Sequence, residues 1–177
     1  MRLPIGISDF EELIEGEYLF ADKSLWIKDV IEDGAKVILV TRPRRFGKTL
    51  NLSMLYYFLR QNKAEDKNLF DGLNISKEIE FCKKHQKQYP VIFISFKDIK
   101  QANFTEAYAD VVQLIRRLYE DHEYLLEDNL LSKSEKTTFT ALLNKQADLS
   151  DIRDAIKQLS VYMARKFNKS PIILIDE

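Results

Sequence analysis

Among 177 residues there is one cysteine, Cys82, so no disulfide can close within the chain, and such usage fits a reducing compartment. Net charge is equally scarce. With 27 basic residues against 28 acidic ones, whole-chain electrostatics gives no argument for nucleic acid or an anionic membrane. No apolar run approaches membrane-spanning length, and the opening "MRLPIGISDFEEL" lacks the unbroken apolar stretch of a secretory signal. Internal repeats, low-complexity tracts and Pro/Gly/Ser linkers are missing as well. The two histidines, His85 and His122, stand far apart without His or Cys neighbours at ligand spacing, which speaks against a zinc-type site. Cys82, in "EFCKKHQ", has no paired catalytic motif and reads as a packing residue. These absences leave a soluble, cytoplasmic, globular chain as the expectation, one domain in length and large enough to bury a core.

What is present is an alternation of short apolar runs and helical periodicities. Ser8 and Glu11 have the spacing of a capping box for a first helix, and Gly16 suits its left-handed stop. A second short helix is expected from about Lys23 to Glu32, ended by Gly34. "KVILVT" at 36–41 has the β-branched, uninterrupted character of a strand covered on both faces. A helix over 48–60 follows, then a second buried strand in "YPVIFISF" (89–96) and a third in "PIILID" (171–176). Between these last two, residues 104–169 read as a mainly helical insert. Within it Ser132 and Glu135 form another capping box, and Ile152, Ile156, Leu159 and Met163 recur on one face. Strands separated by helices argue for an α/β fold with a parallel sheet.

The run "TRPRRFGKT" carries the chemistry. The phosphate loop of P-loop NTPases is written G-x-x-x-x-G-K-[ST], and here Arg42 stands at the first glycine's position. Such a site needs a strand that delivers the chain to the sheet's carboxyl edge, a loop that turns its amides inward, and a helix that begins at the phosphates. Gly47 can adopt the angles that let successive N–H groups converge on an anion. Lys48 suits the β- and γ-phosphates, and Thr49 suits Mg²⁺. The tripeptide alone is weak, since chance supplies it in roughly one chain of this length in ten. Its place between an apolar run and a helix strengthens it, as does "IILIDE", which ends in Asp176 and Glu177. In that reading Asp176 orients Mg²⁺, Glu177 polarises the attacking water, and the amides from Arg45 through Phe46, Gly47, Lys48 and Thr49 to Leu50 cradle the phosphates.

The segments "PIGISDFEELI", "YLFADKSLWIKDVI", "RPRRFGKTLNLSML", "LFDGLNI" and "YPVIFISFKD" together resemble the AAA-ATPase-like family of bacterial P-loop proteins over essentially the whole chain. In that family a basic loop without the first glycine is usual. The resemblance implies a three-layer P-loop sandwich of the additional-strand class, with ATP and Mg²⁺ as cofactors. Proteins of that family often carry a companion PD-(D/E)xK nuclease-like domain, which this stretch does not contain. In the additional-strand class the strand after the Asp-Glu segment inserts between the loop strand and the Asp-Glu strand. Because the sequence stops at Glu177, the expectation is a C-terminally truncated domain whose sheet lacks that middle strand, with hydrolysis a property of the intact parent. The subdivision expected is an N-terminal helical segment (1–35), the loop strand, helix and second strand (36–103), the helical insert (104–169) and the Asp-Glu strand (170–177).

Other residues admit plainer readings. Arg44 and Arg45 suit phosphate or a partner, and equally a solvated basic turn. Phe20, Asp22 and Lys23 lie where related ATPases flank the base, while Asp22 also reads as a helix cap. Trp26 could stack on adenine, or be core. Tyr56, Tyr57 and Phe58 read as core beneath the sheet. Arg116, Arg117, Glu120 and Asp121 read as a charged solvated face. Asp98 and Lys100 echo half of a nuclease motif without a Pro-Asp partner. Two rival functions follow: a nucleotide-sensing interaction module with little turnover, its helical insert serving a protein partner, or the ATPase part of a nucleic-acid-processing protein acting through the absent domain.

Overall fold

The computed structural model describes residues 2–41, 43, 46–61, 68–127 and 129–176. They fall into two compact units, Met1–Tyr89 and Pro90–Glu177.

In the first unit, helix α1 (Phe10–Glu15) starts at Asp9, whose carboxylate accepts the Glu12 N–H at 3.0 Å. The cap is therefore Asp9 and not Ser8. Both have N-cap chemistry, and one residue of register decides which side chain reaches the third amide. Helix α2 (Trp26–Glu32) and helix α3 (Lys48–Leu59) follow, then a 3₁₀ turn at Asn74–Lys77 and helix α4 (Ile79–His85). Aromatic rings make the core. Phe10 stacks on Phe70 at 5.1 Å between centroids, Phe58 meets Phe70 edge-on at 5.2 Å, and Phe81 stacks on Phe58 at 6.0 Å. Leu13, Ile27, Met54, Leu59 and Ile75 fill the remaining space, each with at most 1% exposure. Burying one such side chain stabilises by about 1.5–3 kcal/mol, so a handful of them hold the unit together. Tyr56 and Tyr57 are half-buried and Phe58 is fully buried in this helical core.

The expected strand over 36–41 does not form. Residues 37–41 carry no regular structure, and Val37 is 86% and Leu39 81% exposed. Its β-branched composition supplies a preference, but a strand is stable only beside another. No strand is paired with it among the described residues.

The second unit runs from strand β1 (Val91–Ser95) through helices α5 (Phe104–Glu120), α6 (Lys133–Leu143) and α7 (Leu149–Phe167) to strand β2 (Ile172–Asp176). The strands pair in parallel, Val91 beside Ile172 and Ser95 beside Asp176. Parallel neighbours need a crossover, and α5 to α7 provide it. Each helix begins at a side-chain cap: Asn103 for α5, Ser132 for α6 and Asp148 for α7. The α6 start is a full capping box, with Glu135 reaching back to the Ser132 N–H, as its spacing implied. Ile92 and Ile94 pack into a core with Ile115, Tyr119, Phe139 and Leu159. Their register neighbours Ile173 and Ile175 are 42% and 61% exposed, whereas Leu174 and Asp176 are buried. The reading of "PIILID" as a buried strand holds for alternate residues only, because β2 has a ladder partner on one side among the described residues.

Gly16 gives a test of local reasoning. Its φ is −76°, so left-handed freedom is not what the position requires. A Cβ there would overlap the Tyr18 ring and stand 2.9 Å from the Glu12 carbonyl oxygen. Conformation alone would let alanine stabilise by about 0.4–1 kcal/mol, but overpacking costs about 1–3 kcal/mol. Gly16→Ala should therefore lower the unfolding midpoint in a thermal melt, and a raised midpoint would contradict this account.

Candidate phosphate-binding loop

Gly47 has φ 71° and ψ 23°, the left-handed region, and occupies the N-cap position of α3. A Cβ there would meet nothing within 4 Å, so glycine is required by backbone angle and not by crowding. The helix closes its first turn with the Asn51 N–H on the Gly47 carbonyl at 2.9 Å. The amides of Lys48, Thr49 and Leu50 come before that bond, where a helix has no carbonyl of its own to offer. Phe46 is 64% exposed, while Lys48, Thr49 and Leu50 are half-buried. The left-handed Gly47 thus leads directly into the start of α3. Arg42, Arg44, Arg45 and Glu177 lie outside the described residues.

Helix α3 is fixed to α1 by a polar cluster that sequence reasoning missed. The buried Ser53 hydroxyl accepts the Phe10 N–H at 2.9 Å and donates to Asp9 Oδ2 at 3.0 Å. One turn further, the Tyr57 hydroxyl reaches Asp9 Oδ2 and Glu11 Oε2, each at 3.2 Å. Burial, then the Asp9 and Glu11 charges, push the Tyr57 phenol well above its ordinary range, so it stays protonated and donates. The partners are 43 to 48 residues apart, beyond any local pattern. The available signal was a serine within the apolar run of a helix.

Asp176 ends β2 beside Ser95, 6% exposed, and its backbone carbonyl accepts the Phe96 N–H at 2.9 Å. Asp98 and Lys100 are exposed just beyond β1.

The family model described as "Predicted AAA-ATPase" (AAA-ATPase-like) matches residues 4–177. The chain belongs to that family. It is also similar to a protein described as "Uncharacterized protein in vnfD 5'region" from Azotobacter chroococcum mcd 1, at 38% identity over 96 residues. That stretch is 54% of this chain and 17% of the relative's length, so the chain matches only a small part of that protein. No solved structure matches it. No described helix is long and apolar enough to cross a membrane.

In this AAA-ATPase-like chain the segment "YLFADKS" has a structural task. Asp22 accepts the Ser24 N–H at 2.9 Å through one oxygen and the Asn74 N–H at 2.7 Å through the other. The buried Ser24 hydroxyl accepts the Ile75 N–H at 3.0 Å. Asp22 therefore caps its own turn and the distant 3₁₀ turn, whereas α2 starts from Leu25 without a side-chain cap. Phe20 sits edge-on to Phe10 at 5.6 Å, Lys23 is exposed and Trp26 is half-buried. Cys82 points its thiol at the Ile75 carbonyl, and burial, with Glu78 nearby, pushes that thiol up. Of the helix-face charges, Arg116 and Glu120 pair at 2.7 Å, while burial raises Asp121.

Burial works to raise the Asp22 carboxyl, but the hydrogen bonds from Ser24 and Asn74, aided by Lys77, outweigh it and hold the group below its ordinary value. A depressed carboxylate contributes stability that is complete above its unfolded pKa of about 4 and lost as pH falls through the folded value. Asp22→Asn should therefore destabilise at pH 6 and have little effect at pH 2. Thermal melts of both proteins at the two pH values check this; an equal gap at both would remove the charge from the account.

Proposed function

We propose that this AAA-ATPase-like chain binds Mg·ATP through residues 45–50 and serves ATP hydrolysis. The observation that carries the reading is the left-handed Gly47 leading directly into α3, with Lys48 and Thr49 as its first residues. The amides from Arg45 to Leu50 would donate to phosphate oxygens, an arrangement that helix N-termini favour for anions. The Lys48 ammonium supplies the compensating point charge. Thr49 and Asp176 bring hydroxyl and carboxylate oxygen, the hard donors Mg²⁺ accepts, and that ion usually draws its other ligands from phosphate and water. When bound it would neutralise charge on the β- and γ-phosphate oxygens. Glu177, following Asp176, takes the proton from the attacking water as that oxygen bonds to the γ-phosphorus and ADP leaves.

A second reading draws on the crossover. Helices α5 to α7 carry a core of their own, and a groove of about 320 Å³ between α6 and α7 is lined by Glu135, Thr138, Asp154, Lys157, Gln158 and Tyr162. This supports a nucleotide-sensing module whose helical part meets a protein. Steady-state phosphate release separates the two, since a sensor releases little.

Lys48→Ala should weaken Mg·ATP binding at least tenfold, about 1.4 kcal/mol or more. Equal calorimetric affinities for variant and parent would reject the loop assignment. Asp176→Asn should impair Mg²⁺-dependent binding, whereas Glu177→Gln should bind normally and stop turning over. Parental hydrolysis by Glu177→Gln would remove its role as base.

A further inference from the structure

Apolar contacts hold α3 in place without fixing its position along its own axis. Met54, Leu55, Phe58 and Leu59 bury well, but such packing has little directional preference. A helix that presents its first amides and Lys48 to phosphate must not slide, since small displacements of positioned groups are costly. Directional bonds to other segments come from Ser53 and Tyr57 to α1 and, at the far end, from the Phe58 and Leu59 carbonyls, which accept the Lys87 and Tyr89 N–H at 2.8 and 3.0 Å; of these four residues Ser53 is nearest the phosphate end. Ser53 lies four residues beyond Thr49, about 6 Å along the axis.

That serine behaves unlike three other helix hydroxyls among the described residues. Thr137, Thr140 and Ser160 each donate to the carbonyl four residues back, at 3.0, 2.8 and 2.8 Å, the common local choice. Ser53 turns away from its own helix and commits both its donor and an acceptor lone pair to α1, through Asp9 and the Phe10 N–H. Asp9 in turn caps α1 with its other oxygen, so one carboxylate ties the α1 start to α3. Tyr57 repeats the tie a turn later.

We infer that Ser53 and Asp9 are positioning residues for the phosphate end of α3, setting the height of Lys48 and Thr49 from α1. The inference rests on the phosphate-site reading above. Coupling of this kind is reciprocal: if α1 holds the loop helix, a nucleotide on the loop helix holds α1. Helix α1 is then the part of this unit that registers occupancy.

The test uses the full-length protein, Mg·ATP calorimetry, thermal melts and amide exchange. Ser53→Ala should weaken binding about five- to tenfold, and Ser53→Thr, which restores the hydroxyl, should recover most of it. Ile27→Val, a methylene lost elsewhere in the core, should lower the melting midpoint and keep parental affinity. Mg·ATP should slow exchange of the Leu13 and Gly16 amides in the parent and not in Ser53→Ala. Parental affinity for Ser53→Ala, or equal weakening by Ile27→Val, would overturn the positioning role while leaving the phosphate site intact. A parent that does not bind Mg·ATP, or a Lys48→Ala variant that binds as the parent does, overturns both. If Ser53→Ala fails to fold, Asp9→Asn decides. Asparagine keeps the α1 cap but removes the charged acceptor, and unchanged affinity there rejects the inference.

Discussion

Residues 91–95 can be a strand only because residues 172–176 lie beside them in register, and most of the second unit follows from that pairing. Two parallel strands cannot be joined by a tight turn, so the chain must cross over, and a crossover of helices must bury an apolar stripe against the sheet. Ile92 and Ile94 receive that stripe. The pairing also decides where Asp176 ends up. It is the last residue of β2, opposite the last residue of β1, at the carboxyl edge where open α/β sheets keep their ligands.

The first unit has helices and isolated bridges but no strand ladder among its described residues, and it coheres by different means. Phe10, Phe58, Phe70 and Phe81 contribute area, several kcal/mol in sum, with weak preferences of geometry. Hydrogen bonds add less, about 1 kcal/mol each, but they carry direction. Among the bonds that supply it are those of two aspartates, each using both carboxylate oxygens. Asp9 joins α1 to α3, and Asp22 joins the segment before α2 to the 3₁₀ turn at Asn74–Lys77. Large apolar rings set what is buried, and polar ties such as these two carboxylates help set what faces what.

That division explains what was legible in the sequence. The α6 capping box was readable because its chemistry is complete within four residues, Ser132 to Glu135. The Gly47 turn and the start of α3 were readable for the same reason. The strand over 36–41 was misread because a β-branched run announces a preference, while formation depends on a neighbour that the run does not contain. Gly16 was singled out correctly for the wrong cause, since the decisive atom is the ring of Tyr18 and not the sign of φ. Asp22 looked like a helix cap and caps a turn 52 residues away, a distance that no local pattern encodes. The Asp9–Ser53 tie was hidden likewise, across 44 residues.

The loop's departure from the general P-loop pattern can be weighed in the same terms. A phosphate loop makes three separable demands: a backbone turn, a fixed helix height and a positive charge. Gly47 meets the first with a left-handed φ of 71° in open surroundings, so the conformational requirement is concentrated at one residue. In the proposed reading Ser53, through its bond to Asp9, would meet the second from within the helix, and Lys48 the third. None of the three draws on the position where the general pattern has its first glycine and this chain has Arg42. A glycine there would add freedom to the loop's entry, which costs entropy on ordering. If the turn is set at Gly47 and the height from α1, as proposed, the loop would not need that freedom.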